Sequence, residues 1–109
     1  MDERVNKFKE IAKKRWEYLK KDDSKTGNKC YDELLSIAIE LRNENQLHEL
    51  CVLLEDENDG VRFEAASKLL TINIDKAVNT LEKLTEKKGT LPFSAKMTLR
   101  QWRAGNLKF

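Results

Sequence analysis

Apolar residues recur every three or four positions along most of the chain, the spacing that predicts helices with one buried face. Near residues 2–21, Val5, Phe8, Ile11, Ala12, Trp16 and Leu19 form one broad stripe, opposite a lysine-rich face. The polar run "KDDSKTGNK" interrupts it. It offers Asp22, Asp23 and Ser24 as N-caps, because short polar side chains accept from the free N–H groups of a first helical turn. A second helix is predicted to run to about Arg42, with Leu34, Leu35, Ile37, Ala38, Ile39 and Leu41. Being apolar around more than half its circumference, it is expected to be the central, most buried helix. A third carries Leu47, Leu50, Cys51 and Leu54, and a fourth, about 60–72, buries Val61, Ala65, Ala66 and Leu69. A fifth, roughly 74–87, shows Ile74, Ala77, Val78, Leu81 and Leu84. The sixth begins near Leu91, with Thr90 as cap and Pro92 in the first turn, where its missing N–H costs nothing. Its apolar residues are Leu91, Phe93, Ala95, Leu99 and Trp102, and Gly105 is its stop. No strand pattern of comparable length is present. The expected fold class is all-α, a short helical-hairpin solenoid of about six helices in one domain spanning 1–109.

A shift of 30 residues lays helices three and four onto five and six. Leu47 then meets Ala77, Cys51 meets Leu81 and Leu54 meets Leu84; Val61 meets Leu91, Phe63 meets Phe93, Ala65 meets Ala95 and Leu69 meets Leu99. Matches at a single offset across two helices and their turn point to two stacked hairpins, each burying the apolar face its neighbour leaves bare. The chain thus divides into an N-terminal helical pair, 1–43, and two repeat hairpins, 45–109. In "LLEDENDGVRFEAASKLL" the acidic-amide cluster is the tight turn inside the first hairpin, with Asn58 or Asp59 as cap. Ala65 and Ala66 are small because helix backbones approach closely there. Arg62 faces the positive end of its helix dipole, so an anionic partner is expected, with Asp56 or Asp59 in reach. Arg62→Ala is accordingly expected to cost more than Lys68→Ala, a change at a mid-helix position expected to be exposed.

The same stretch resembles a HEAT repeat: a leucine pair, an aspartate in the turn, then Val-Arg, two alanines and a leucine. That resemblance implies an Asp–Arg tie between the turns of adjacent repeats, falling here on Asp56 and Arg62. The second unit departs from the pattern, with Glu86 and Pro92 at the matching positions. Over the whole chain, "NKCYDELL", the repeat, and "LPFSAKMTLRQW" resemble a group of small bacterial HEAT-like proteins, domain of unknown function 2019. Its motifs are packing motifs and imply no reaction.

Charge changes this picture only locally. The net charge of +2 hides a sequence of blocks: ten basic against six acidic residues over 1–30, one against nine over 31–60, and ten against four over 61–109. A general nucleic-acid binder carries one sustained basic face, which this alternation does not supply. No apolar run approaches the ~20 residues of a membrane span, and the charged start lacks the apolar block of a signal peptide. A cytoplasmic protein with no membrane contact is expected. Cys30 and Cys51 sit in helical patterns and read as free thiols of a reducing compartment.

Catalytic chemistry finds no foothold in the pattern. Glu44, His48 and Cys51 have metal-compatible spacing, but Glu44 lies at a helix start and Cys51 on the core stripe. No metal and no cofactor is expected. Ser36, Ser67 and Ser94 lie in helical patterns outside any nucleophile elbow, and "TGNK" lacks the glycine spacing of a phosphate loop. The expected function is therefore a non-enzymatic protein–protein interaction module acting as a monomer. One form is an immunity or antitoxin-like protein that covers a basic toxin with the acidic edge Glu49, Glu55, Asp56, Glu57 and Asp59. The alternative is nucleic-acid binding through basic helices one and six, with Lys96, Arg100 and Arg103 on one face and Trp16 and Trp102 as stacking platforms.

Overall fold

The computed structural model describes residues 2–109, all-helical among them. Residue 1, counted in the N-terminal pair above, lies outside the described residues. These described residues form five α-helices: α1 (Glu3–Lys20), α2 (Ser24–Asn43), α3 (Asp59–Leu69), α4 (Asp75–Thr85) and α5 (Thr90–Arg103). Two 3-10 segments, Leu47–Glu55 and Leu70–Ile72, complete the elements. The chain forms two compact units, Met1–Glu49 and Leu50–Phe109, whose boundary falls inside the longer 3-10 segment.

In the first unit α1 lies along α2. Val5, Phe8 and Ala12 of α1 and Leu34, Ala38 and Leu41 of α2 are all fully buried. Excluding a leucine or phenylalanine side chain from water contributes about 1.5–3 kcal/mol, so these stripes hold the helices. Asp23 is the cap that starts α2, accepting from the Thr26 N–H at 3.0 Å. Gly27 permits close approach to α1: a Cβ there would stand 2.9 Å from Leu19 Cδ2. At the other end, Arg4 joins the two helices. Its guanidinium donates to both carboxylate oxygens of Glu44, at 2.6 and 3.0 Å, and to Gln46 Oε1 at 3.0 Å. It also donates to both oxygens of Asp2, the α1 cap, at 3.1 and 2.8 Å. These bonds to Arg4 hold the Asp2 carboxyl down at about 2 and lower that of Glu44.

In the second unit α3 packs on α4 and α5, and α4 on α5. The most enclosed helix is α3, with Gly60, Val61, Phe63, Glu64, Ala65, Ala66, Lys68 and Leu69 all buried. The expectation for the second helix is thereby corrected, since Leu35 and Ile39 of α2 are only half-buried. Lys68 is likewise no exposed charge: it is 5% exposed, and the Phe109 ring lies 5.4 Å from its ammonium.

The third predicted helix is not α. Leu47–Glu55 is a nine-residue 3-10 helix, in which side chains three apart eclipse. Leu47, Leu50 and Leu53 accordingly line up and are buried to 3%, 0% and 3%, joined by Leu54 at 4%, while Cys51 is only half-buried. A rise of about 2.0 Å per residue carries these nine residues ~18 Å, close to the length of the eleven-residue α4.

Helix ends are made with little glycine. Asp22, Asn45, Asn73 and Gly105 all take positive φ after a helix. In each case the following N–H reaches back five residues: Asp23 to Tyr18 O, Gln46 to Leu41 O, Ile74 to Leu69 O and Asn106 to Gln101 O. This closure satisfies carbonyls that the helix end leaves open, and Asp and Asn enter the left-handed region more readily than other side chains. At α5 the cap differs from expectation. Gly89 holds the N-cap position with φ 121°, and Thr90 is the first helical residue.

Candidate interaction surfaces

The turn joining the long 3-10 segment to α3 is built by its own polar side chains. Asn58 accepts from the Val61 N–H at 3.1 Å, and the Asp56 carboxylate accepts from the Asn58 N–H at 2.9 Å. Arg62 crosses the turn, donating to the Asp56 backbone carbonyl at 2.7 Å and pairing with the Asp59 carboxylate. Among the bonds that fix this turn, Arg62 meets Asp56 through its backbone.

The two hairpins are tied by lysines of the second. Lys87 Nζ donates to Asp59 at 2.7 Å, so one carboxylate serves both Arg62 and the following turn. Lys76 donates to Glu55 at 2.6 Å, and that bond lowers the Glu55 carboxyl below its ordinary range. Lys76, Thr80 and Lys83 form one face of α4 and, with Lys87 in the turn beyond it, Arg62 and Glu55, line a groove of about 480 Å³. Basic residues are thus not segregated from the acidic edge. Glu55, Asp56 and Asp59 have internal partners, Glu57 is exposed, and half-buried Glu49 belongs to the first unit.

The second surface is on α5. Its core stripe is Pro92, Ala95 and Leu99, with Leu91 and Trp102 half-buried. Phe93, read above as apolar packing, is 63% exposed. Lys96, Arg100 and Arg103 form one wall of an open groove of about 810 Å³, floored by Leu99 and faced by Glu82 and Thr85 of α4 and Glu86 at its C-cap. Arg103 and Glu82 approach to 3.7 Å across it.

Other sequence-derived candidates lie elsewhere. Trp16 is buried at 8%, with the Arg15 guanidinium 5.2 Å from its ring, so it is no open stacking platform. His48 is exposed and Glu44 is engaged by Arg4. Among the described residues no three His, Cys, Asp or Glu side chains cluster as metal ligands. Burial raises the pKa of both Cys30 and Cys51, which are free. Among the described residues no helix is long and apolar enough to cross a membrane.

The buried ions Glu64 and Lys68 were missed, although the pattern holds their signal. With Val61, Ala65 and Leu69 they follow the i, i+3, i+4, i+7, i+8 spacing of a buried face. Val52, left off the helix-three stripe, is 56% exposed.

These features define a small all-helical protein with two groove-bearing surfaces on its C-terminal unit. The chain belongs to the family described as domain of unknown function (DUF2019), whose model matches residues 2–102. No curated protein and no solved structure matches it.

Proposed function

We propose that this chain is a non-catalytic protein-binding module, a short HEAT-like stack that works by presenting a shaped surface. The observation that supports this reading is Phe93. It is 63% exposed, whereas its counterpart Phe63, 30 residues earlier, is buried to 6%. An aromatic ring left in water beside cations is the composition of a protein interface, where aromatic and arginine side chains are enriched. A bacterial, cytoplasmic immunity-like protein covering a basic toxin is one form of the reading. In that form Glu57 and exposed Val52 beside the acidic turn supply the contact, since Glu55, Asp56 and Asp59 already accept bonds. Nucleic-acid binding has less support: Trp16 is buried, and Glu82 and Glu86 face Lys96, Arg100 and Arg103 across the groove.

The test is affinity capture with the full chain from its native host, followed by reconstitution with the purified captured protein. A defined stoichiometric complex that survives nuclease treatment is expected. Retention of no protein above bare resin, or loss of the retained material on nuclease treatment, rejects the reading.

A further inference from the structure

Phe93, Lys96, Arg100 and Arg103 follow one another at i, i+3, i+7 and i+10, so they share one face of α5 over about 15 Å. Phe93 stands at the N-terminal end of this stripe, and the groove floored by Leu99 runs beside its basic part. In the first hairpin the matching positions are Phe63, Ala66 and Leu70, exposed to only 6%, 0% and 0%. The same helical face is therefore a packing face in one hairpin. In the other it has kept its aromatic ring and exchanged its small and aliphatic members for cations. Lys96 and Arg100 form no ion pair among the described residues, while Arg103 is drawn toward Glu82.

We propose that this face binds an acidic amphipathic helix of a partner protein, an inference that rests on the protein-binding reading above. The partner's apolar stripe covers Phe93 and the groove floor at Leu99, and carboxylates along one edge meet Lys96 and Arg100. Its other edge runs past Glu82 and Glu86, so it is neutral or basic there. The groove is dipolar, basic on α5 and acidic on α4, and this selects between occupants. A helix can carry opposite charges on its two edges, whereas a nucleic-acid strand presents phosphate charge all along its backbone and is repelled by the α4 wall. The ~15 Å stripe matches about ten residues, or three turns, of docked helix.

The test pans the full chain against a displayed library of helix-forming peptides with randomised surface positions. Phe93→Ser and Arg100→Glu, both at exposed positions, are first checked for unchanged circular dichroism and urea midpoint. If Phe93→Ser shifts the midpoint, Arg100→Glu carries the comparison. The wild-type chain is expected to enrich peptides with Asp or Glu along one edge of an apolar i, i+4, i+7 stripe. A synthesised, fluorescein-labelled winner should bind each variant about tenfold more weakly, and Lys25→Glu on α2 with unchanged affinity. Enrichment of peptides without an acidic edge, or affinity indifferent to both groove substitutions, overturns the proposal. Preferential binding of a labelled single-stranded oligonucleotide, or a chain dimer that Arg100→Glu dissociates, overturns it by giving the face to another occupant. None of these failures removes the protein-binding reading, which falls only with the capture experiment.

Discussion

The two hairpins of the C-terminal unit share a sequence pattern and put it to different use. Ala65 and Ala95 are both fully buried, as are Leu54 and Leu84 to within 4% and 1%, so the seam repeats. Around that seam the positions diverge. The first turn is capped by the Asn58 side chain and crossed by Arg62; the second turns on Gly89 and enters its helix through Pro92. The first hairpin encloses Phe63, Ala66 and Leu70, and the second exposes Phe93, Lys96 and Arg100. Solvent-facing helix positions ordinarily carry charged side chains, which accounts for the cations. It does not account for the phenylalanine. The difference teaches that residue identity at matched positions does not fix environment: the alanine and leucine pairs stay buried in both hairpins, and the phenylalanine is buried in one and exposed in the other.

The comparison breaks most sharply at that pair. Phe63→Ala is expected to lower stability by about 3–5 kcal/mol, the cost of emptying a packed aromatic site. Phe93→Ala should stay within about 0.5 kcal/mol, as exposed substitutions do. Urea midpoints of the two variants decide the matter, and equal losses would mean that Phe93 also supports the core.

The turns give the next contrast. Gly89 combines φ 121° with ψ −169°, a region closed to side-chain-bearing residues, so Gly89→Ala should cost on the order of 1–3 kcal/mol although no atom lies within contact of the added Cβ. Asn58→Ala removes one capping bond and should cost about 1 kcal/mol. Denaturant titration of both variants checks the order. A neutral Gly89→Ala would show that the second turn relaxes without strain.

Much of this architecture was legible because helix periodicity and capping chemistry are local. The α1 stripe, the Asp23 and Asn58 caps and the Gly105 stop needed only neighbouring residues to be read. The 3-10 segment was not legible, since leucines at 47, 50 and 54 satisfy a period of 3.6 better than 3.0; Leu53 is the residue that separates them. Burial of Glu64 and Lys68 was hidden by their charge, which ordinarily marks a solvated face. The acidic edge read as a surplus because its partners, Lys76 and Lys87, lie 21 and 28 residues away from Glu55 and Asp59. Sequence shows which charges are near in number, and only the fold brings α4 against that turn.

The smallest expected effect compares the seam between the hairpins with the Arg4 clamp of the N-terminal unit, and acid resolves it. Asp2 is held at about 2 against an ordinary 3.8, chiefly by its side-chain hydrogen bond with Arg4. Glu44 is lowered by the same guanidinium and Glu55 by Lys76. A carboxyl whose folded pKa is depressed binds protons less readily when native, so its contribution is present above the unfolded pKa and is lost as pH falls through the folded one. Between about pH 6 and 4.5 the gaps in stability between wild type and either Arg4→Ala or Lys76→Ala should therefore hold constant. Below about pH 4 they should narrow, and the Arg4 gap should go on closing toward pH 2, where Asp2 takes up its proton. Glu44 and Glu55 are exposed and Asp2 is half-buried, so added salt should also shrink both gaps. Urea midpoints measured at several pH values between 6 and 2 provide the check. A gap that stays constant down to pH 2 would show that the lysine or arginine acts through packing, with its carboxylate partner incidental.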